Sequence, residues 1–84
     1  MNLEKFKELL NSNHSWPSNY TFRFIIPFTE LSELERILGN EGMSNKPSKN
    51  GNYLSVISIK MINSTEEVIK YYQDVSQIKG IISI

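Results

Sequence analysis

Residues 46–62 read KPSKNGNYLSVISIKMI and decide the fold prediction. The pair Asn50-Gly51 favours a two-residue type I′ turn, because that turn needs a positive φ at both central positions and these residues tolerate it best. The run after the turn is rich in β-branched residues, as strands are. We therefore predict a β-hairpin with residues 42–48 as its first arm. Because Pro47 cannot donate a ladder hydrogen bond, that arm is expected at an edge of the sheet.

The apolar pattern changes phase within the long strand predicted after the turn. Leu54 and Val56 share one parity, whereas Ile57, Ile59 and Met61 share the other. Successive side chains of a strand point to opposite faces, so a regular strand would be apolar on both. We favour a β-bulge near Val56 and Ile57, since one extra residue returns both sets to the core side. The alternative is a sheet whose open face is apolar because a second protomer covers it.

The rest of the chain predicts helices and further strands. Periodicity indicates an amphipathic helix at 2–11, a linker at 12–19, a strand at 20–26, helices at about 30–38 and 65–77, and a last strand at 81–84. Thr29 is expected to cap the second helix and Gly39 to end it. Ser64 and Glu67 form a capping-box pattern before the third helix. Trp16, in the linker, is expected to pin the first helix to the body rather than to stack on a ligand.

The order of these elements predicts the α+β class. After the first helix come strand, helix, strand, strand, helix and strand, the order of ferredoxin-like folds. We predict a ferredoxin-like βαββαβ sandwich, with an antiparallel four-stranded sheet, two helices on one face and a short N-terminal helix before it. Residues 1–15 are expected to form the N-terminal helix and linker, and residues 16–84 the ferredoxin-like domain.

The hairpin also resembles a known family. The run KPSKNGNYLSV at residues 46–56, the Phe-rich strand before it and the acid-capped last helix are similar to the small bacterial YbeD-like proteins, a domain family of unknown function. The resemblance covers residues 16–84. It implies an ACT-like, ferredoxin-like domain, similar to regulatory domains that bind small effectors, commonly amino acids, at interfaces between paired domains.

Composition bounds the partners and the compartment. Lys plus Arg and Asp plus Glu both number 9, so no net charge draws the chain to nucleic acid or an anionic membrane. The absence of cysteine excludes disulfides and thiol chemistry and fits a reducing compartment. No apolar run approaches the roughly 18 residues of a spanning helix, and the N-terminal residues lack the apolar core of a signal peptide. A cytoplasmic protein without membrane contact is therefore expected.

No catalytic or metal-binding constellation is predicted. His14 lies in a polar linker without a second histidine or a cysteine, so we expect a solvated loop residue rather than a zinc ligand. Asp74, the sole aspartate, lacks the context of a Ser-His-Asp triad. Helix placement and surface solubility explain the glutamates that could be taken as paired carboxylates or hard-metal ligands, Glu30, Glu33, Glu35 and Glu41. We expect no enzyme, no cofactor and no metal.

The leading hypothesis is a non-enzymatic regulatory or protein-interaction module that pairs with itself or with another protein, with a small effector at a dimer interface as an option. The alternative is an RNA-binding domain, because ferredoxin-like RNA-binding domains stack bases on aromatic side chains of their central strands. Zero net charge disfavours that alternative. The surface expected to carry either function comprises Arg23, Lys46, Lys49, Tyr53, Lys60, Ile82 and Ile84.

Overall fold

The computed structural model describes residues 2–84 and has the α+β class that was predicted, with a four-stranded antiparallel sheet. In chain order the elements are α1 (Leu3–Asn13), β1 (Ser18–Pro27), a short 3₁₀ helix (Phe28–Glu30), α2 (Leu31–Leu38), β2 (Met43–Pro47), β3 (Tyr53–Ile62), α3 (Thr65–Val75) and β4 (Ile82–Ser83). The strands are ordered β2-β3-β1-β4, and each neighbouring pair is antiparallel. This arrangement is compatible with a ferredoxin-like fold.

The inner strands β1 and β3 bury one face of the sheet. Alternate residues point to that side, and the buried ones are Phe22, Phe24 and Ile26 on β1 and Leu54, Val56, Ser58 and Ile62 on β3. The helices add to the same core with Leu10 of α1, Leu34 and Leu38 of α2, and Val68 and Val75 of α3. The intervening strand residues are exposed or half-buried, so the opposite face of the sheet is open.

The predicted β-bulge is wrong. The ladder between β1 and β3 pairs residues one to one along both strands, with Ile57 opposite Arg23, whereas a bulge would set two residues of β3 opposite one of β1. Val56 therefore points to the core, and Ile57, Ile59 and Met61 point to the open face. The bulge was inferred because a sheet packed on one side was expected to have one apolar face, and this strand has two.

The hairpin turn also differs from the prediction, although β2 does pair with β3 at an edge of the sheet. Of the two central residues of the predicted turn, Gly51 has a positive φ, of 77°, and Asn50 does not, so a type I′ turn is excluded. The Asn50 side chain instead accepts hydrogen bonds from the Ser48 hydroxyl at 3.0 Å and the Asn52 N–H at 3.3 Å. An Asn side chain that bonds its neighbouring backbone stabilises a longer loop in place of the tight turn.

The helix starts follow the predicted caps in one case and depart from them in the other. The Ser64 hydroxyl accepts from the Glu67 N–H at 3.2 Å, as expected at the start of α3, while the Glu67 carboxylate accepts from the Asn63 N–H at 2.8 Å. Thr29 does not cap α2. The 3₁₀ helix intervenes, and the residue before α2 is Glu30, whose side chain makes no capping hydrogen bond. A short 3₁₀ turn at a helix start was not visible in the periodicity.

Trp16 attaches α1 to the rest of the molecule, as predicted. Its indole N–H donates to the Thr65 hydroxyl at 3.0 Å, and that hydroxyl donates to the Asn11 side-chain oxygen at 2.6 Å. The rings of His14 and Trp16 are stacked with centroids 4.9 Å apart. These hydrogen bonds connect α1 and the linker to the start of α3. The domain boundary between residues 15 and 16 stays a prediction.

Candidate interaction surface

The outward-pointing side chains of the sheet form a surface that we call the open face. Cross-strand partners share a face, so the register assigns its members. They are Asn19, Thr21, Arg23 and Ile25 on β1, Ser44 and Lys46 on β2, Tyr53, Ser55, Ile57, Ile59 and Met61 on β3, and Ile82 on β4. The Ile84 N–H donates to the Arg23 carbonyl at 3.1 Å, which continues β4 and places Ile84 on the same side as Ile82.

Apolar side chains dominate the open face. Ile59 and Met61 are 48% and 60% exposed, and Ile82 and Ile84 are 53% and 66% exposed. Single exposed apolar residues are ordinary on protein surfaces, whereas a continuous apolar patch with a polar border marks a site of association. These residues lie on β3 and β4, and the strand between them, β1, contributes Ile25 and Arg23, so the apolar residues flank Arg23 from both sides in one patch.

The charge of the open face is entirely positive. Arg23 and Lys46 are exposed, and no member of this surface in the described strands is an acid. The ion pairs among residues 2–84 lie elsewhere, between Arg36 and Glu33 and between Lys70 and Asp74. The Arg23 guanidinium, opposite Ile57 on an inner strand, is therefore a cation set among apolar groups without a carboxylate from the described chain.

Most of the surface residues predicted from the sequence come together on the open face, namely Arg23, Lys46, Tyr53, Ile82 and Ile84. Lys49 lies in the loop between β2 and β3 and is exposed. Lys60 does not belong to this surface. Its ammonium donates to the Leu38 carbonyl at 2.7 Å, and it lies 5.3 Å from the centre of the Tyr71 ring. Lys60 shares the parity of the core residues of β3, so it binds the C-terminal end of α2 instead.

Several members of the open face were missed as site residues. Ile25, Ile57, Ile59 and Met61 form the middle of the patch but were not among the predicted surface residues. Ile57, Ile59 and Met61 had a signal in the second apolar parity of β3, but the favoured β-bulge assigned them to the core side. Uninterrupted alternation along β3 would have found these three. Ile25 had no apolar signal of its own, because the outward parity of β1 is otherwise polar.

An apolar groove lies between α1 and α3. It has a volume of about 260 Å³ and is lined by Leu3, Phe6, Ile69, Tyr72, Gln73 and Ser76. The hydroxyls of Tyr72 and Tyr20 are 2.9 Å apart, and burial raises the pKa of Tyr72 well above its usual value. None of the lining residues carries a charge that would fix the carboxylate or ammonium of an amino acid. The small effector suggested by the family resemblance stays a prediction.

The side chains weighed for metal or acid-base chemistry are spread over the surface. No group of three or more His, Cys, Asp or Glu side chains within residues 2–84 could hold a metal ion. Arg36 binds Glu33 and lowers the pKa of that carboxyl by hydrogen bonding. His14 is half-buried against Trp16 rather than fully solvated. The Asp74 carboxylate lies 3.5 Å from the ammonium of Lys70, one helical turn away on α3.

Within residues 2–84, every helix is too short or too polar to span a membrane.

Comparison of the chain with protein-family models, with curated proteins and with solved structures gives no match. The open face is therefore identified as a candidate functional site from the structure of this chain alone. The resemblance to YbeD-like and ACT-type domains stays a prediction.

Proposed function

We propose that this chain is a non-enzymatic interaction module that binds a protein through the open face of its sheet. The observation that carries the proposal is the set of exposed or half-buried apolar residues on the open face, with Ile57, Ile59 and Met61 on β3, Ile82 on β4 and Ile84 directly after it, and β1 with Ile25 between the two strands. An open antiparallel sheet normally places polar side chains on its solvent face. An apolar outward parity on β3, beside the apolar parity that is already buried in the core, is therefore better explained by a partner than by the stability of the isolated chain.

The size of the open face supports this proposal. Strands about 4.8 Å apart with a rise of about 3.3 Å per residue give the four strands a planar footprint on the order of 500 Å². Specific interfaces bury about 800 Å² of accessible surface per partner, and accessible area exceeds planar area because side chains protrude. The face is thus large enough for one specific partner.

The proposed architecture is the ferredoxin-like βαββαβ arrangement. The order β1, α2, β2, β3, α3, β4 and the strand order β2-β3-β1-β4 support it, as does a core shared by α2, α3 and one face of the sheet. In this arrangement the helices occupy one side, which leaves the other side free for association.

Site-specific photo-crosslinking in cells tests the proposed function. A photoreactive amino acid would replace Ile59 or Met61 on the open face, and Leu9, 53% exposed on α1, as a matched control. We expect a discrete protein adduct from the open-face positions that is absent from the Leu9 position. Equal adducts from all positions, or none from the open face, would contradict the proposal. An adduct of two copies of this chain would identify the partner as the chain itself.

A second candidate function, RNA binding, is favoured by the presence of Tyr53, Arg23 and Lys46 on one face. Base stacking uses aromatic platforms, and this surface has a single aromatic ring surrounded by isoleucines. Fluorescence anisotropy with single-stranded RNA over a salt series tests it. RNA binding would show an affinity that falls steeply with salt and depends on Arg23. The absence of a shift would eliminate this candidate.

A further inference from the structure

We propose that the partner of the open face is an amphipathic helix with a carboxylate in the middle of its apolar stripe, and that Arg23 binds that carboxylate. This inference rests on the proposed function and names the chemistry of the partner.

The position of Arg23 is the first step. It lies on the inner strand β1, directly opposite Ile57, and its carbonyl accepts from the Ile84 N–H at 3.1 Å. The next outward residue along β1 is Ile25, which is paired with Ile82 on β4. Arg23 thus lies between Ile57 on β3 and Ile84 directly after β4, so a partner that covers these isoleucines must also cover Arg23.

Charge complementarity is the second step. Covering a guanidinium without a counter-charge carries a desolvation penalty that apolar contact does not offset. A second copy of this chain, face to face, would bring another Arg23 and Lys46 and no acid from its described strands. A partner with a carboxylate at this point converts the penalty into a bidentate, charge-assisted hydrogen bond, for which a guanidinium is well shaped. The occupant is therefore an acidic partner rather than a second copy.

The shape of the surface is the third step. The apolar residues extend lengthwise from Ile57 to Met61 on β3 and sideways to Ile82 on β4. β3 and β4 are two strand spacings of about 4.8 Å apart with β1 between them, so a helix about 10 Å wide that lies over β1 reaches the apolar residues on both sides. A helix packed on a sheet face is also one of the stable ways to complete a layer. Strand addition at β2 is less suited, because Pro47 and Lys46 lie on that edge.

This arrangement predicts the sequence character of the partner. Apolar residues recur at i, i+3, i+4 and i+7, and a Glu or Asp interrupts the stripe near its middle. An otherwise similar helix without the acid leaves Arg23 covered and unpaired, so it is rejected. Specificity therefore comes from Arg23, and contact area comes from the isoleucines.

A titration monitored by backbone amide NMR shifts tests the proposal. The probes are synthetic helical peptides of about 18 residues, the length that spans roughly 27 Å. They share a leucine stripe and differ only in Glu, Gln or Lys at its centre. We expect shifts at Ile25, Ile57 and Ile59, and the Glu peptide to bind at least about tenfold more tightly than the Gln peptide. Arg23→Gln should abolish this preference, and Arg23→Glu should transfer it to the Lys peptide.

A matched control uses Arg36→Gln, which changes an exposed arginine of α2 and should leave the preference intact. Equal affinity for the Glu and Gln peptides, or peptide shifts outside the open face, would overturn the proposal. So would a chain that dimerises through the open face and excludes the peptides. In each case a crosslinked protein adduct from Ile59 would still support the proposed function, so the two failures are distinguishable. Because the Glu, Gln and Lys peptides are compared on the unchanged protein, this part of the test does not depend on whether a variant folds.

Discussion

Ser58 lies on the buried side of β3, and its hydroxyl has no hydrogen-bond partner within residues 2–84. A buried unpaired hydroxyl costs about 1 to 3 kcal/mol of desolvation. We expect Ser58→Ala to raise the free energy of unfolding by about 1 kcal/mol in urea titrations, because the small residue removes the polar group and leaves little empty volume. Ser55→Ala, on the open face of the same strand, is the control and should change stability little. A destabilising Ser58→Ala would mean that this hydroxyl is bonded in solution.

Gly42 lies next to the backbone of β3 and has a φ of 71°. A Cβ at this position would overlap the carbonyl oxygen of Ile59, whose N–H bonds the Gly42 carbonyl at 3.0 Å. Gly39 has a similar φ of 76° but open space around it. We expect Gly39→Ala to cost about 1 to 3 kcal/mol from the backbone alone, because a φ of 76° with a ψ of 160° is a conformation essentially restricted to glycine. Gly42→Ala should cost clearly more, because the start of β2 must also move away from β3. Equal losses of stability in chemical denaturation would show that this contact is not tight.

At the scale of elements, α1 depends on the polar contacts of Thr65 at the start of α3. The buried Thr65 hydroxyl accepts from Trp16 and donates to Asn11, so Thr65→Val leaves both partners unpaired while keeping the shape. We expect a loss of about 1 to 3 kcal/mol in the docking of α1. Amide hydrogen exchange should become faster in α1 while β1 and β3 remain protected.

Thr29→Val is the matched control for that experiment, because Thr29 is exposed and caps no helix. It should leave the exchange of α1 unchanged. If Thr65→Val accelerated exchange in every element to the same extent, α1 would unfold together with the whole domain rather than as a separate unit.

The elements also show which parts of the fold can be predicted from the sequence. An element was predicted correctly where one local signal with a single physical cause marked it, as the alternating aromatic residues mark β1 and the Ser64 cap marks the start of α3. The turn at Asn50 was mispredicted because its side chain bonds the backbone of the loop instead of allowing the residue a positive φ. The cap at Thr29 failed because a 3₁₀ turn, which has no periodic signature, comes before α2.

The candidate site was harder to predict than the elements, because each of its residues depends on register. Arg23 and Tyr53 were predicted as members of the interaction surface, and the strand register places both on the open face. Lys60 was grouped with them as a cation, although its parity assigns it to the helix side, where its ammonium donates a hydrogen bond to the Leu38 carbonyl. Charge alone does not tell which face of a sheet a residue occupies.

At the scale of the whole molecule, the sheet has two apolar faces with opposite consequences for stability. Ile59 and Ile62 belong to the same strand, yet Ile62 is fully buried and Ile59 is 48% exposed. Ile62→Thr puts a hydroxyl into the core and removes a methyl group, so it should cost about 2 to 4 kcal/mol. Ile59→Thr should change the free energy of unfolding by no more than about 0.5 kcal/mol.

The same pair of variants separates folding from association. Because the open face is proposed to bind a partner, Ile59→Thr should weaken binding of the Glu-bearing helical peptide while the unfolding transition of the free chain stays in place. Calorimetric titration with that peptide and urea unfolding without it measure the two quantities on one sample. If Ile59→Thr lowered stability as much as Ile62→Thr, and the loss grew with protein concentration, the open face would be buried between copies of the chain. The acidic helix would then be the wrong occupant, because a dimer that buries Arg23 without an acid from the open face would contradict the charge argument for that partner.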